Sequence, residues 1–273
     1  MGVGGGKRAI TAAVENGDAG PRQLPQEVAV AMVCQGSSQA VMMCSPPDLE
    51  DFAIGFCLSE GIVAAPDEIE TLEVVEHPNG LEVQMWLRAD RAAALGARRR
   101  TMAGAVGCGM CGLESLDQAA RVLPQIPHRA RGLRVPEGEL RGAVDALRHH
   151  QPLHDLSRGM HAAGFWVPGD GIALAREDVG RHNALDKLIG ALARADVDLC
   201  SGAAVLTSRV SVDMVQKCAM AGIAVVIAAG APTDLAMRNA KEVGMTLVTS
   251  ARRDGFDLWP DGARVIEEHE NVC

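Results

Sequence analysis

Two thiols two residues apart, Cys108 and Cys111, sit within the run Gly107-Cys108-Gly109-Met110-Cys111-Gly112, and no other stretch joins reactive side chains to so little bulk. Glycine before, between and after the sulfurs permits backbone angles closed to other residues and lets a large molecule approach them. The pattern predicts an accessible loop. Beyond it, Leu113, Leu116, Ala120 and Leu123 share one helical face, which places Cys111 at the start of a predicted helix. Free N–H groups and the helix dipole stabilise a thiolate there, and Arg98, Arg99 and Arg100 upstream add positive potential. Spacing alone leaves several chemistries open. A zinc site would need ligands from Cys34, Cys44, Cys57, Cys200 or Cys218 across the fold. A thioredoxin-type centre should follow a strand inside a βαβ unit, whereas an arginine-rich segment precedes this one. A sulfur carrier would hold a persulfide on one cysteine and deliver it on a flexible loop; two idle surface thiols are the plain alternative.

Two further groups of residues could bind a ligand. In Arg176-Glu177-Asp178-Val179-Gly180-Arg181-His182-Asn183-Ala184-Leu185-Asp186-Lys187 a predicted strand passes into a helix amid Arg, His, Asn and Asp. Open α/β sheets place ligand crevices at such junctions, although a capping and salt-bridge cluster would look the same. His161, at the start of a strand, reads either as a general acid or as a satisfied core histidine. Arg252-Arg253 follow the last predicted core strand, where two guanidinium groups can fork onto a phosphate, although a charge run this short is more often solvated surface.

The elements that must position these groups fall into two rhythms. Val28–Cys34 and Ala40–Cys44 around Gln35-Gly36-Ser37-Ser38 predict a hairpin, and so do 72–76 and 81–87 around His77-Pro78-Asn79-Gly80. Between them Leu49, Phe52, Ala53 and Phe56 recur at helical spacing after Asp48, a predicted N-cap, with Gly61 as the stop. Pro124, Pro127, Gly132 and Pro136 then punctuate a linker. The second half alternates as α-β-β-α-β-α-β-α-β from 137 to 250, with Asp178 and Thr233 as predicted caps. That is the order of the cytidine-deaminase-like α/β fold, a central mixed sheet with helices on both faces. The zinc-deaminase signature of H-x-E or C-x-E is absent, and Ser208-Arg209-Val210-Ser211 stands where part of it would fall. The expected division is a disordered leader over 1–24, an α+β domain with the CxxC loop over 25–130, and a deaminase-like domain over 131–273.

Composition bounds the function. A chain of 273 residues with a net charge of −9 is no general adsorber to nucleic acid or acidic membrane. Eight scattered cysteines, no secretory apolar core at Met1-Gly2-Val3-Gly4-Gly5-Gly6 and no run long enough to span a bilayer point to a reducing cytoplasm.

Taken together, Gly107 to Gly112, Glu177 to Lys187, and Ser208-Arg209-Val210-Ser211 with Met214-Val215-Gln216-Lys217 resemble the FdhD/NarQ family of formate dehydrogenase accessory sulfurtransferases. Ser45-Pro46-Pro47-Asp48-Leu49-Glu50 and Leu58-Ser59-Glu60-Gly61-Ile62 extend the similarity over nearly everything after the leader. The resemblance implies a cytoplasmic maturation factor: a cysteine desulfurase hands sulfur to the paired cysteines, which pass it to the molybdenum bis-molybdopterin guanine dinucleotide cofactor of formate dehydrogenase. It assigns the persulfide to Cys108, with Cys111 as its partner, whereas helix electrostatics alone point to Cys111. It also assigns cofactor binding to Ser250, Ala251, Arg252, Arg253, Asp254 and Gly255, although Ser250 and Gly255 replace the aromatic and arginine common at the ends of that segment. A guanine nucleotide such as GDP should mimic one arm of the cofactor, and a homodimer is expected. The alternatives are a cofactor-binding chaperone that moves no sulfur and a zinc-dependent regulatory protein.

Overall fold

The computed structural model describes residues 10–15, 21–102, 122–126, 133–259 and 265–266. The cysteine segment and residues 113–121 of the helix expected after it lie outside the described residues, as does the expected domain boundary near Arg131, while Val122 and Leu123 at the end of that expected helix are not helical.

The first described strands, β1 (Ile10–Glu15) and β2 (Pro21–Pro25), pair antiparallel. Within the expected disordered leader over 1–24, residues 10–15 and 21–24 are thus strand, and the others lie outside the described residues. The missing signal is tertiary: β2 rests on the helix Pro152–Ser157, and the Pro25 ring lies where a side chain at Gly159 would point.

The two predicted hairpins become one four-stranded sheet. Strands β3 (Val28–Cys34) and β4 (Ser37–Cys44) pair antiparallel, as do β5 (Ile69–His77) and β6 (Gly80–Leu87), and a parallel β3–β6 pairing joins them in the order β4-β3-β6-β5. Alternation sends Val30, Met32 and Cys34 with Leu81, Val83, Met85 and Leu87 to one face. Phe52, Ala53, Phe56 and Cys57 of helix α1 (Leu49–Ser59) cover that face. Asp48 precedes α1 with left-handed φ of 60°, and its carboxylate makes no cap bond but reaches toward Arg176 instead. The stretch 89–102, which carried no assignment from sequence, is helix α2 (Ala89–Met102), and its Leu95 joins the same core.

In the second half, β7 (Val135–Pro136) and helices α3 (Glu137–Arg148) and α4 (Pro152–Ser157) lead into β8 (His161–Val167) and β9 (Gly171–Asp178). Helix α5 (Arg181–Arg194), β10 (Ala203–Leu206), α6 (Val212–Ala221), β11 (Val225–Ala228), α7 (Asp234–Val243), β12 (Thr246–Arg252), β13 (Gly255–Trp259) and β14 (Val265–Ile266) complete the chain. The six-stranded sheet runs β13-β12-β11-β10-β8-β9 with β10, β11 and β12 parallel. This is the α/β arrangement expected from the element order, enlarged by α4 and by the edge strand β13. Strands β10 and β11 are buried along their whole length, as short uninterrupted apolar runs require. Thr233 caps α7 by accepting from the Ala236 N–H, as expected. Asp178 does not cap α5; Gly180 holds that position, and Asp178 accepts its N–H.

The two cores meet where α1 crosses α5. A Cβ at Gly55 would lie 1.7 Å from the Asp186 carbonyl oxygen, and one at Gly190 would lie 1.9 Å from that of Asp51. Neither position has room for any side chain. Alanine in a helix is intrinsically better than glycine by about 0.8–1 kcal/mol, so Gly190→Ala isolates the crossing: it should destabilise by about 3 kcal/mol, as overpacking does. For a chain of this size that lowers Tm by about 6 to 12 °C. A thermal melt with Tm unchanged or raised would show that the helices do not need this approach.

Candidate functional site

The parallel strands β10, β11 and β12 end side by side, and their exits form one hydrogen-bonded rim. Ala229 N donates to Leu206 O at 2.9 Å, Gly230 N to Ser208 O at 3.1 Å and Ser250 N to Gly230 O at 3.3 Å. Gly230 is required for this closeness, since a Cβ there would sit 2.8 Å from the Arg209 backbone. The rim therefore brings Ser208 and Arg209 beside Ser250 to Arg252, the crevice end of an open α/β sheet.

All six predicted cofactor-binding residues lie on the hairpin that closes this rim. Ser250 holds φ of 53°, in the left-handed region, where the β12–β13 register slips between Thr249 and Arg252. The slip buries Ala251 and turns Arg252 outward, while Arg253 and Asp254 form the exposed tip before Gly255. Arg253 is not free: its Nε bonds the carboxylate of Asp145 on α3.

Asp145 also belongs to the wall of a cleft of about 510 Å³, lined by Arg148, Gln151, His154, Arg158, Met160, His161, Val179 and Thr207 among others. The Thr207 hydroxyl lies 3.4 Å from His161 Nδ1 and is held by the backbone of Ala162. Burial, reinforced by the charges of Arg181 and His154, lowers the His161 pKa and keeps the ring neutral. His154 is placed by Glu177, whose carboxylate accepts the Leu153 and His154 N–H groups at the start of α4. His161 is thus a half-buried cleft residue rather than part of the apolar core. Apart from Val179 of the 176–187 run, the other lining residues were missed from sequence; the available signal was histidine density, since four of the eight histidines lie between His149 and His161.

The polar run 176–187 divides. Glu177 and Val179 serve the cleft, but most of the rest bind the first half of the chain. Asp178 pairs with Lys187 at 2.7 Å and accepts from Ser45 N at 2.9 Å, and Lys187 donates to Ser45 O at 2.8 Å. Asn183 reaches the Met43 carbonyl. One turn on, Lys217 meets Asp186, Glu60 and Ser59, and Ser59 donates to Asp186 at 2.7 Å. Arg176 and Arg194 both hold Asp51. The capping and salt-bridge reading is therefore the one observed for Asp178, Asn183, Asp186 and Lys187, and they are not exposed to a ligand.

Cys108 and Cys111 lie outside the described residues, and the structure does not place them relative to the cleft. Three of the described cysteines are poor nucleophiles: burial pushes the Cys44 and Cys218 thiols up to about 12, and Cys57 lies well above its usual range through its hydrogen bond with Cys34 and burial, while the same bond lowers buried Cys34.

The FdhD/NarQ family model matches residues 25–266. A protein of Agrobacterium fabrum named sulfur carrier protein FdhD is 47% identical over 247 residues, 90% of each chain. Proteins of the same name from Bordetella petrii and Brucella abortus are each 46% identical, covering 84% and 90% of this chain and 82% and 91% of their own lengths. The crystal structure of a formate dehydrogenase accessory protein from Desulfotalea psychrophila has the same fold, with a TM-score of 0.70 over 94% of this chain and 98% of that one at 22% identity. Among the described residues no helix is long and apolar enough to cross a membrane.

His182, at the start of α5, contacts the Asp213 carboxylate of α6. Burial overrides that carboxylate and pushes the ring down to about 4. Between about 6.5 and 4 the unfolded chain takes up a proton that the folded chain refuses, so this group's contribution to stability is present above 6.5 and lost as pH falls. Urea unfolding across that window should show wild type losing stability relative to His182→Asn. Parallel pH profiles for the two proteins would mean that the folded ring accepts the proton.

Proposed function

Because the chain belongs to the FdhD/NarQ family, we propose that it is a sulfur carrier that accepts sulfur from a cysteine desulfurase as a persulfide on Cys108. It passes that sulfur to the molybdenum bis-molybdopterin guanine dinucleotide cofactor, its substrate, before the cofactor enters formate dehydrogenase. The observation that carries the reading is the strand-end rim, which gathers Arg209, Arg252 and Arg253 beside a cleft in a chain whose net charge is −9. Guanidinium groups at such a rim suit the phosphates of a dinucleotide, because each can donate two parallel N–H groups to one anion. Arg252 is the freer of the hairpin pair, while Arg253 must exchange Asp145 for a phosphate or hold both. Cys111 serves as the second thiol of the carrier loop, and the reducing cytoplasm keeps both cysteines available.

Incubation with a cysteine desulfurase and free cysteine should add one sulfur atom to Cys108, located by intact-mass and peptide mapping. Cys108→Ala should abolish the addition and Cys111→Ala should impair it less. Sulfur on the buried Cys218, or none at all, would contradict the carrier role.

The arginine rim is tested separately. Replacing Arg252 and Arg253 with Ala should leave sulfur loading intact and weaken binding of GDP, the cofactor mimic, by at least about a hundredfold, the loss of two charge-assisted contacts of about 1.5 to 3 kcal/mol each. Normal GDP affinity combined with lost persulfide would refute this assignment.

A further inference from the structure

One buried amide in the wall of the cleft has no protein partner. Gln151 stands at the N-cap of α4 and is only 2% exposed, yet its side chain makes no cap bond, and its carboxamide bonds no group among the described residues. The duty a polar side chain ordinarily performs at that position falls to Glu177, which accepts the Leu153 and His154 N–H groups. A buried amide without partners is costly, and the space that can admit a partner is the cleft it lines. Arg148, three residues earlier and also in the wall, repeats the condition: its Nη2 bonds the Asp155 carboxylate, while its Nη1 is buried with no partner. An amide oxygen, an amide nitrogen and a guanidinium nitrogen are thus left unused together.

The other lining residues limit what these groups can meet. Val144, Met160 and Val179 are apolar. The Thr207 hydroxyl is engaged by the Ala162 backbone, and His154 Nδ1 donates to the Met160 carbonyl at 2.8 Å. Apolar walls with a few unused polar groups suit a flat heteroaromatic ring bonded along one edge. A bare phosphate or carboxylate would engage Arg148 and leave the amide stranded. Because a guanidinium only donates, the ring must offer it an acceptor, whereas a carboxamide both donates and accepts and so fits either order of groups. Guanine supplies that pattern with an oxo group beside a ring N–H and an amino group, and a pterin carries the identical edge. Adenine places an amino donor where the oxo group stands and would set donor against donor at Arg148. Asp145, the one carboxylate among the described lining residues, bonds Arg253, which brings the arginine hairpin against this same wall.

We infer that Gln151 and Arg148 read the amino-oxopyrimidine edge shared by guanine and pterin, so that the cleft seats one ring of the cofactor while the arginine rim takes its phosphates. This rests on the reading above in which that dinucleotide is the substrate. Gln151→Leu removes the amide at nearly the same volume. Arg148→Met removes the donor from a partly exposed position on α3, where the change does not disturb the core. Binding of GDP and ADP is measured by calorimetry, and binding of hydroxymethylpterin by its own fluorescence. Each variant should weaken binding of the ring that the cleft holds by about tenfold or more, with ADP, which offers phosphates without the edge, bound as in wild type. A loss confined to GDP assigns the cleft to the guanine arm, a loss confined to the pterin assigns it to the pterin, and loss of both shows that either ring enters. Either variant holding both GDP and the pterin as wild type does overturns the inference, as does Arg148→Met losing ADP in the same proportion. A wild-type chain that binds none of the three overturns the cofactor as substrate in the carrier reading itself, an outcome distinct from unchanged variants.

Discussion

The crossing of α1 over α5 is the constraint on which the molecule depends. With glycine at 55 and 190 the two backbones come close enough for the intervening space to hold no apolar side chain. The polar groups on either side of the contact must therefore satisfy one another. Asp178 and Lys187 do so with the backbone of Ser45, and Asp186 and Lys217 do so with Ser59 and Glu60. Buried charges of this kind add little net stability compared with well-packed apolar residues, but removing one member leaves its partner stranded in a low-dielectric interior. Their geometry selects a single register of the two cores, because a shift of α1 by one turn would strand several charges at once.

That junction also orders the strand-end crevice without contributing to it. Glu177 and Asp178 are neighbours at the end of β9, and alternation sends their carboxylates different ways: Glu177 to the start of α4, Asp178 into the junction. The first placement fixes His154 in the cleft wall, and the second anchors the strand that carries it. The charge distribution follows the same partition. Acidic residues dominate the segment that forms the four-stranded sheet, whereas Arg209, Arg252 and Arg253 stand at the ends of the parallel strands, although the chain as a whole is anionic.

Much of the scaffold was legible because its signals are local. The turn Asn79-Gly80, the apolar runs of β10 and β11 and the Thr233 cap each state their conformation within a few residues. What escaped depended on contacts far away in the chain. Helix α2 has a weakly apolar, arginine-rich composition, and among its described side chains Leu95 is the buried one. Strand β2 of the N-terminal pair packs on α4, more than a hundred residues further along the chain. Strand β13 was hidden because Arg253-Asp254 reads as the end of a strand rather than as the tip of a hairpin. The cleft divided in the same way: His161 was identifiable by type and position, while Asp145, Arg148 and Thr207 converge on it only through the sheet. Conversely, Asp178 and Lys187 looked like ligand groups because a buried salt bridge and a binding site use the same side chains.

The bonds from Ser45 to Asp178 and Lys187 span 133 and 142 positions of sequence. On a ribosome adding roughly 5 to 20 residues each second, the first sheet and α1 emerge roughly 5 to 20 seconds before the groups that will neutralise them. During that interval Asp51, Ser59 and the glycine face of α1 must remain in water. The nascent chain thus carries a half-built, strongly anionic module whose hydrophilic contact face delays docking until translation delivers α5 and α6, and whose self-repulsion discourages neighbouring nascent chains from pairing in its place.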